Sequence, residues 1–176
     1  GPRVRIQLTA GPHRGRLLIP SVHRVVLADK SSEWNSHMMY SDDHGATWQI
    51  GKPIQAGGNE CQVVQRRDGS LLVNTRMQGH FQGLRGLATS TDGGETFTPI
   101  VHEKQLPCPR CQGRMIRLAA QENSKPPFAG PLLVSNPFPI QKPEGKASSG
   151  RVRLPLRLSD DDGRTWTDGT HLHAGP

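Results

Sequence analysis

The chain has 176 residues, of which 33% are hydrophobic and only 5% aromatic, with 20 glycines and 15 prolines. This composition favours short strands joined by turns, and no apolar run approaches the roughly 20 residues that a membrane-spanning helix needs. The formal net charge of +7 attracts anions. Because the arginines are scattered and do not alternate with aromatic residues, we predict no nucleic-acid partner; salt-dependent retention on heparin would test that alternative.

Short strand-like segments recur along the chain, and most of them end at Gly, Pro, Asn or Asp. They cover residues 16–22, 24–28, 37–41, 62–66, 70–76, 84–90, 114–120, 130–136 and 153–159. Residues 67–70 predict a hairpin turn, and the stretches 121–128 and 139–148 predict loops. With no helical period, the fold class is all-β. The first residues read as the middle of a strand, so we predict one domain, residues 1–176, truncated at both ends.

One motif, Ser-x-Asp-x-Gly-x-Thr-aromatic, occurs three times at intervals of about 50 and 70 residues, which is typical of a propeller or an array. Its Asp accepts backbone N–H groups, its Gly adopts a positive φ, and its Thr caps the turn. We therefore predict a structural role in a hairpin, with the aromatic residue packed on the sheet, and no catalytic role. The motif residues are Ser41, Asp43, Gly45, Thr47, Trp48, Ser90, Asp92, Gly94, Thr96, Phe97, Ser159, Asp161, Gly163, Thr165 and Trp166.

The chain has three cysteines, Cys61, Cys108 and Cys111, and the last two have C-x-x-C spacing. A zinc site would need two further ligands at a matching spacing, and a redox motif would need a βαβ setting. Neither is found in the sequence. We predict half-buried thiols beside a proline-rich turn, no metal and no cofactor.

The triple motif resembles the Asp-box of sialidases, which some non-enzymatic propellers also carry. Residues 57–76 resemble the sialidase segment in which Glu-Cys-Gln precedes Asp-Gly-Ser, a strand and Asn-x-Arg. Residues 135–139 and 150–166 resemble the later segment that places an arginine before an Asp-box. The resemblance implies a six-bladed β-propeller, of which this chain would hold about three to four blades. It also implies a retaining exo-α-sialidase that releases terminal sialic acid from a sialylated glycoprotein, glycolipid or oligosaccharide.

Carried over by motif position, Glu60 becomes the base that assists a nucleophilic tyrosine, and Arg76 and Arg151 become two members of the arginine triad that binds the sialic-acid carboxylate. Arg153 and Arg157 remain alternatives to Arg151, because strand alternation places all three on one face. Asn59 and Gln112 are candidates for hydrogen bonds to sugar hydroxyls, a role that the residues alone leave open.

The family's first triad arginine, its acid/base aspartate and its nucleophilic tyrosine have no counterpart in this chain. Tyr40, the only tyrosine, adjoins the first Asp-box and is predicted to be a strand residue. We therefore expect the chain to be the central part of a longer sialidase and to be inactive alone. A secreted, periplasmic or lysosomal location is expected for the whole protein. The competing hypothesis is a non-catalytic Asp-box propeller that binds carbohydrate or protein.

Overall fold

The computed structural model describes residues 4–79, 82–119, 130–141 and 147–173. They form three four-stranded antiparallel sheets, here called the first, second and third blade, and one two-stranded hairpin. The first blade contains β1 (Ile6–Gln7), β2 (Leu17–Val26), β3 (Ser32–Ser41) and β4 (Gln49–Ile50). The second contains β5 (Gly58–Gln65), β6 (Leu71–Met77), β7 (Leu84–Ser90) and β8 (Val101–Pro107). The third contains β9 (Arg114–Arg117), β10 (Leu132–Ser135), β13 (Leu154–Ser159) and β14 (Thr170–His173), and β11 (Phe138–Gln141) with β12 (Ala147–Val152) forms the hairpin. The all-β prediction is confirmed.

The blades follow one another in chain order, and β1, β5 and β9 are the first strands of the three sheets. An apolar cavity of about 290 Å³ is lined by residues of these strands, including Ile6, Val63 and Met115. Neighbouring first strands therefore lie side by side, as the innermost strands of propeller blades do.

Both faces of the second blade are buried. In β5, Val63 packs into the apolar cluster shared with the first blade, whereas Val64 packs into the cluster shared with the third. In β6, Leu71 likewise packs into the cluster shared with the first blade and Leu72 into the cluster shared with the third. Because successive residues of a strand point to opposite faces, two adjacent apolar residues supply both clusters. The continuous apolar runs of β5 and β6 are thus explained by a sheet packed between two others.

The three Asp-box motifs form the same turn after β3, β7 and β13. In the third one, Asp161 Oδ1 accepts the backbone N–H of Thr165 at 2.8 Å and Oδ2 accepts the Thr165 hydroxyl at 2.7 Å. The Ser159 hydroxyl donates to Asp161 and accepts the N–H of Gly163, whose φ is +89°. Each Asp thus satisfies polar groups of its own turn, and the turn requires a positive φ where the motif has Gly.

The Asp-box aspartates are held as carboxylates. Hydrogen bonds from Thr47 and Ser41 lower the pKa of Asp43 to about 2. For Asp92 and Asp161, burial opposes the shift, but the hydrogen bonds from Thr, Ser and backbone groups of the same turn outweigh it and lower the pKa to about 2. The charged form is favoured because the donors of the turn point at it.

The three aromatic residues of the motif differ in burial. Trp166 is buried in the cluster between the second and third blades, and Phe97 packs against the other cluster. Trp48 is 37% exposed, and its indole N–H donates to the carbonyl of Gly45 at 3.1 Å. The aromatic residue therefore packs on a blade at two of the motifs and closes the turn itself at the first.

Two predictions of element bounds are wrong. Residues 16–22 and 24–28 were predicted as separate segments, but β2 runs unbroken from Leu17 to Val26, because every residue pairs with β3. Residues 139–148 were predicted as a loop, but 139–141 and 147–148 belong to the β11–β12 hairpin. Pro139 is tolerated there because a two-stranded sheet has only edge strands. The loop predicted at 121–128 lies outside the described residues.

Candidate functional site

A bulge at the start of β5 determines the direction of Glu60. Gly58 pairs with Met77 and Cys61 pairs with Thr75, so two residues of β5, Asn59 and Glu60, lie opposite one of β6, Arg76, and the register shifts. A bulge of this kind re-aims a side chain. Glu60 Oε2 lies 2.9 Å from Nη1 of Arg76 on β6, and the two side chains are 28% and 23% exposed. The structure thus brings together two of the residues singled out in the sequence.

Buried polar contacts hold the bulge in place. The side-chain oxygen of Asn59 accepts the backbone N–H of Glu60 at 2.8 Å, and its backbone carbonyl accepts the Ser36 hydroxyl at 2.6 Å. The Ser36 and Thr75 hydroxyls lie 2.9 Å apart. Asn59 is only 9% exposed. Its side chain therefore stabilises the backbone that orients Glu60.

Gln78 is a neighbour of the pair that the sequence analysis did not single out. Its side-chain oxygen accepts a hydrogen bond from Nη2 of Arg76 at 2.8 Å. Nε of Arg76 is buried and has no partner within the described residues. One guanidinium therefore faces a carboxylate and an amide at once. Gln78 lies just after the end of β6, two residues after Arg76, and this spacing is its only signal in the sequence.

The three arginines near the hairpin occupy three different environments. Arg151 is exposed on β12, opposite Pro139. Arg153 lies between β12 and β13 with a φ of +51°. Arg157 is 2% exposed on β13, with its guanidinium carbon 4.5 Å from the ring centre of Phe138. The expectation that all three share a face is wrong, because the left-handed residue at 153 interrupts the strand and resets the alternation.

The burial of Arg157 affects its pKa, although the guanidinium stays charged. Burial lowers the pKa of Arg157, and the negative charge of Asp168 partly offsets this. Nη1 of Arg157 has no hydrogen-bond partner within the described residues. Arg151 and Arg153 are both exposed and open to an approaching ligand, whereas Arg157 is not.

The remaining candidates separate by position. Gln112 is half-buried in the segment between β8 and β9. Tyr40 is buried in β3, donates its hydroxyl to Gln49 at 3.0 Å and packs against Arg16. Ser36, at the other half of β3, contacts the Glu60 bulge, so Tyr40 lies toward the Asp-box end of that strand. Its rejection as a nucleophile agrees with this placement.

Topology places the candidate residues at one end of the blades. β6 ends at Met77 beside Glu60, and β7 begins at Leu84, which pairs with the end of β8 at Pro107. The segment after β8 contains Gln112, and the hairpin with Arg151 lies between the end of β10 at Ser135 and the start of β13, the strand that ends at the third Asp-box. Glu60, Arg76, Gln112 and Arg151 therefore lie at the end opposite to the Asp-boxes.

Sequence reasoning missed a buried arginine at the same end. Arg85, on β7, is fully buried and donates to the side-chain oxygen of Asn74 and to the carbonyl of Cys111, both at 2.6 Å. The signal was an arginine at an inward-facing position of an otherwise apolar strand. Cys108 and Cys111 are also buried, so the prediction of half-buried thiols is wrong: the side chain of Arg85 and the segment itself cover them.

The described ranges contain no cluster of three or more His, Cys, Asp or Glu side chains that could hold a metal ion. They contain no helix long and apolar enough to cross a bilayer.

Comparison with known proteins identifies the family. The BNR repeat-like domain matches residues 4–176. The chain belongs to this family. It is 33% identical over 161 residues to the sialidase of Micromonospora viridifaciens, covering 92% of this chain and 23% of that protein. It is 38% identical over 168 residues to Sialidase-3 of Mus musculus, covering 89% of this chain and 35% of that protein.

The solved structures agree with the family. The Hadza microbial sialidase Hz136 superimposes with a TM-score of 0.70 at 29% identity, covering 92% of this chain and 29% of that one. This BNR repeat-like chain thus spans about a quarter to a third of these relatives. The predicted resemblance to sialidases and the predicted partial propeller are confirmed.

Proposed function

We propose that the protein carrying this chain is an exo-α-sialidase that releases terminal sialic acid from glycoconjugates, and that this chain is its central part. The observation that supports this most directly is the contact at 2.9 Å between Glu60 and Arg76, in the segment that resembles the sialidase site. The similarity to sialidases from a bacterium and a mammal gives independent support.

In the proposed site, Arg76 and Arg151 bind the carboxylate of sialic acid. A planar guanidinium offers two parallel hydrogen bonds to a carboxylate, a geometry that Lys does not reproduce. Arg76 already holds an acidic and an amide oxygen on its two terminal nitrogens. A substrate carboxylate would take hydrogen bonds from the same guanidinium, and the exposed Arg151 would provide the second contact.

Glu60 acts as the base of the proposed reaction. The anomeric carbon of sialic acid carries a carboxylate, so an anionic nucleophile would be repelled by the substrate. A neutral tyrosine hydroxyl avoids this repulsion, and tyrosine is the known nucleophile among sialidases. That tyrosine, provided by a part of the protein outside this chain, attacks the anomeric carbon while Glu60 accepts its proton. The oxygen of the leaving group is protonated by an acid that is also outside this chain.

The test uses the full-length protein and a fluorogenic sialoside. Glu60→Gln keeps the shape of the side chain but cannot accept the proton, so we expect kcat to fall by about 10²–10⁴-fold. Arg76→Lys keeps the charge but loses the bidentate geometry, so we expect kcat/KM to fall by about tenfold or more. Asp160→Asn and Arg14→Lys, two exposed residues at the Asp-box end of the blades, are the matched controls.

Full activity of Glu60→Gln and Arg76→Lys would refute the proposed roles. If the wild-type protein releases no sialic acid but binds sialosides, the non-catalytic Asp-box propeller is the correct alternative. Retention on heparin that disappears with salt, without sialoside binding, would instead favour a nucleic-acid or polyanion binder.

A further inference from the structure

The buried Arg85 carries a charge with no carboxylate beside it. Its side chain is 0% exposed, and none of the ion pairs formed by the described residues includes it. Its hydrogen-bond acceptors are the side-chain oxygen of Asn74 and the carbonyl of Cys111, both neutral. Nη2 of Arg85 is buried and has no hydrogen-bond partner among the described residues.

An arrangement of this kind is unfavourable unless an anion compensates it. Burying an unpaired ion costs several kcal/mol even after relaxation, and a guanidinium cannot escape this cost by losing a proton. The ionisable group in contact with Arg85 is the thiol of Cys108, whose sulfur lies 3.6 Å from Nη1. Cys108 is itself 0% exposed, so the charge and the thiol share one dry environment.

Cys111 completes the arrangement. Cys108 lies just after β8 and Cys111 three residues later, with Arg110 between them at a φ of +56°. The Cys108 thiol donates to the carbonyl of Cys111 at 3.5 Å, and ionisation of Cys108 gives up this hydrogen bond. The Cys111 side chain then provides the hydrogen bond that favours the Cys108 thiolate.

The charges around the cluster favour ionisation of one thiol. The hydrogen bond from Cys111 lowers the pKa of Cys108 to about 5, against the opposing effect of burial, and the charge of Arg85 lowers it further. The same hydrogen bond, together with burial and the charge of Cys108, raises the pKa of Cys111, while Arg85 and Arg151 act in the opposite direction.

We propose that Cys108 is a thiolate that forms a buried ion pair with Arg85, and that this pair positions the 108–113 segment beside the candidate site. The pair links β7 to the segment that carries Gln112. The proposal concerns charge and position, and it does not depend on sialidase activity.

The packing around the pair supports a positioning role. A Cβ added at Gly113 would lie 3.3 Å from the guanidinium carbon of Arg85 and 3.1 Å from Cβ of Asn136. Asn136 in turn donates to the carbonyl of Pro107 at 2.6 Å. The segment therefore lies between Arg85 of the second blade and Asn136 of the third, with Gln112 beside the closely packed Gly113.

The direct test is the ultraviolet absorbance of the thiolate in the full-length protein, titrated with acid. Subtracting the spectrum of Cys108→Ala isolates the signal of Cys108. We expect a thiolate band at pH 7 that falls to half near pH 5. Cys61→Ala, at a buried cysteine remote from Arg85, should leave this band unchanged and is the matched control. A band that appears only above about pH 8, as for an ordinary thiol, would overturn the proposal.

A second experiment tests the role of Arg85. In Arg85→Met, the thiolate band should be lost at pH 7, whereas Arg85→Lys, which keeps a charge, should retain part of it. A band of unchanged intensity in Arg85→Met would contradict the ion pair. If Arg85→Met does not fold, the double variant Arg85→Met with Cys108→Ala decides, since removing both partners should restore folding. Failure of the double variant as well would overturn the proposal.

Discussion

At the scale of single residues, the repeated aspartate of an Asp-box accepts hydrogen bonds from its own turn, whereas the acidic residue just before it in the third Asp-box does not. Asp161 accepts hydrogen bonds from Ser159, Thr165 and the N–H of Arg164. The side chain of Asp160, one residue earlier, has no hydrogen-bond partner among the described residues. Two adjacent aspartates thus differ completely in their contribution to the turn.

Asp161→Ala should therefore destabilise the protein, by about 1–2 kcal/mol because the turn is partly exposed. Asp160→Ala should leave the free energy of unfolding nearly unchanged and is the matched control. Because the folded-state pKa of Asp161 is about 2, below its ordinary 3.8, its contribution is complete above pH 4 and is lost as the pH falls toward 2. Thermal unfolding between pH 2 and 5 checks both points: equal losses in the two variants would contradict the turn role.

Also at this scale, the sequence could identify Glu60 and Arg76 but could not separate the later arginines. Glu60 and Arg76 lie in a motif whose hairpin fixes their distance. The choice among Arg151, Arg153 and Arg157 depends on the positive φ at 153, and Arg is not a residue whose type predicts that conformation. Their assigned roles remain predictions until the variants are measured.

At the scale of elements, β7 packs so closely that its central glycine cannot carry a side chain. A Cβ on Gly86 would lie 2.6 Å from Cγ2 of Ile100, 2.6 Å from the sulfur of Met77 and 3.1 Å from Cγ2 of Thr75. The φ of Gly86 is not among the positive ones, so this position requires Gly because of packing and not because of conformation.

Gly86→Ala should cost about 1–3 kcal/mol of unfolding free energy through overpacking. Combining it with Ile100→Ala, which removes one of the blocking methyl groups, should give a loss smaller than the sum of the two single losses. Chemical denaturation of the three variants provides the measurement. Strict additivity would show that the close contact does not produce strain.

Strands beside a clear turn motif were predictable. β6 follows an Asp-Gly turn, β7 and β13 precede Asp-boxes, and all three lie where the sequence predicted them, within one residue at each end. β2 was divided in two and the β11–β12 hairpin was missed, because continuous pairing and edge-strand prolines depend on partners far along the chain. Local patterns indicate where a strand ends better than what pairs with it.

At the scale of the whole molecule, arginines join the blades. Arg16, before β2, is buried and donates to Asp42 of the first Asp-box, and it also contacts Glu95 and the carbonyl of Gly93 in the second. Arg66 and Arg67, before β6, contact Asp162 of the third Asp-box in the same manner. Besides the shared apolar clusters, consecutive blades are thus joined by contacts between an arginine of one blade and an Asp-box of the next.

Arg16→Ala should lower the unfolding free energy by about 1–2 kcal/mol, because it removes the packing of the buried guanidinium and two ion pairs whose carboxylates are partly exposed. Arg14→Ala, an exposed arginine two residues earlier in the same turn, is the matched control. Thermal unfolding gives the comparison, and salt should weaken the effect only partly because the guanidinium is buried. Equal stability of the two variants would mean that the contacts of Arg16 with the two Asp-boxes do not stabilise the fold.

The arginine contacts also divide the motif into two kinds of position. The repeated Ser, Asp, Gly and Thr fold the turn, whereas Glu95 and Asp162, which meet the arginines, occupy its variable positions. A blade copied by gene duplication would bring the folding residues with it but not the partner of its new neighbour. The variable positions of a duplicated blade would therefore have to change before that blade could fit beside a new neighbour.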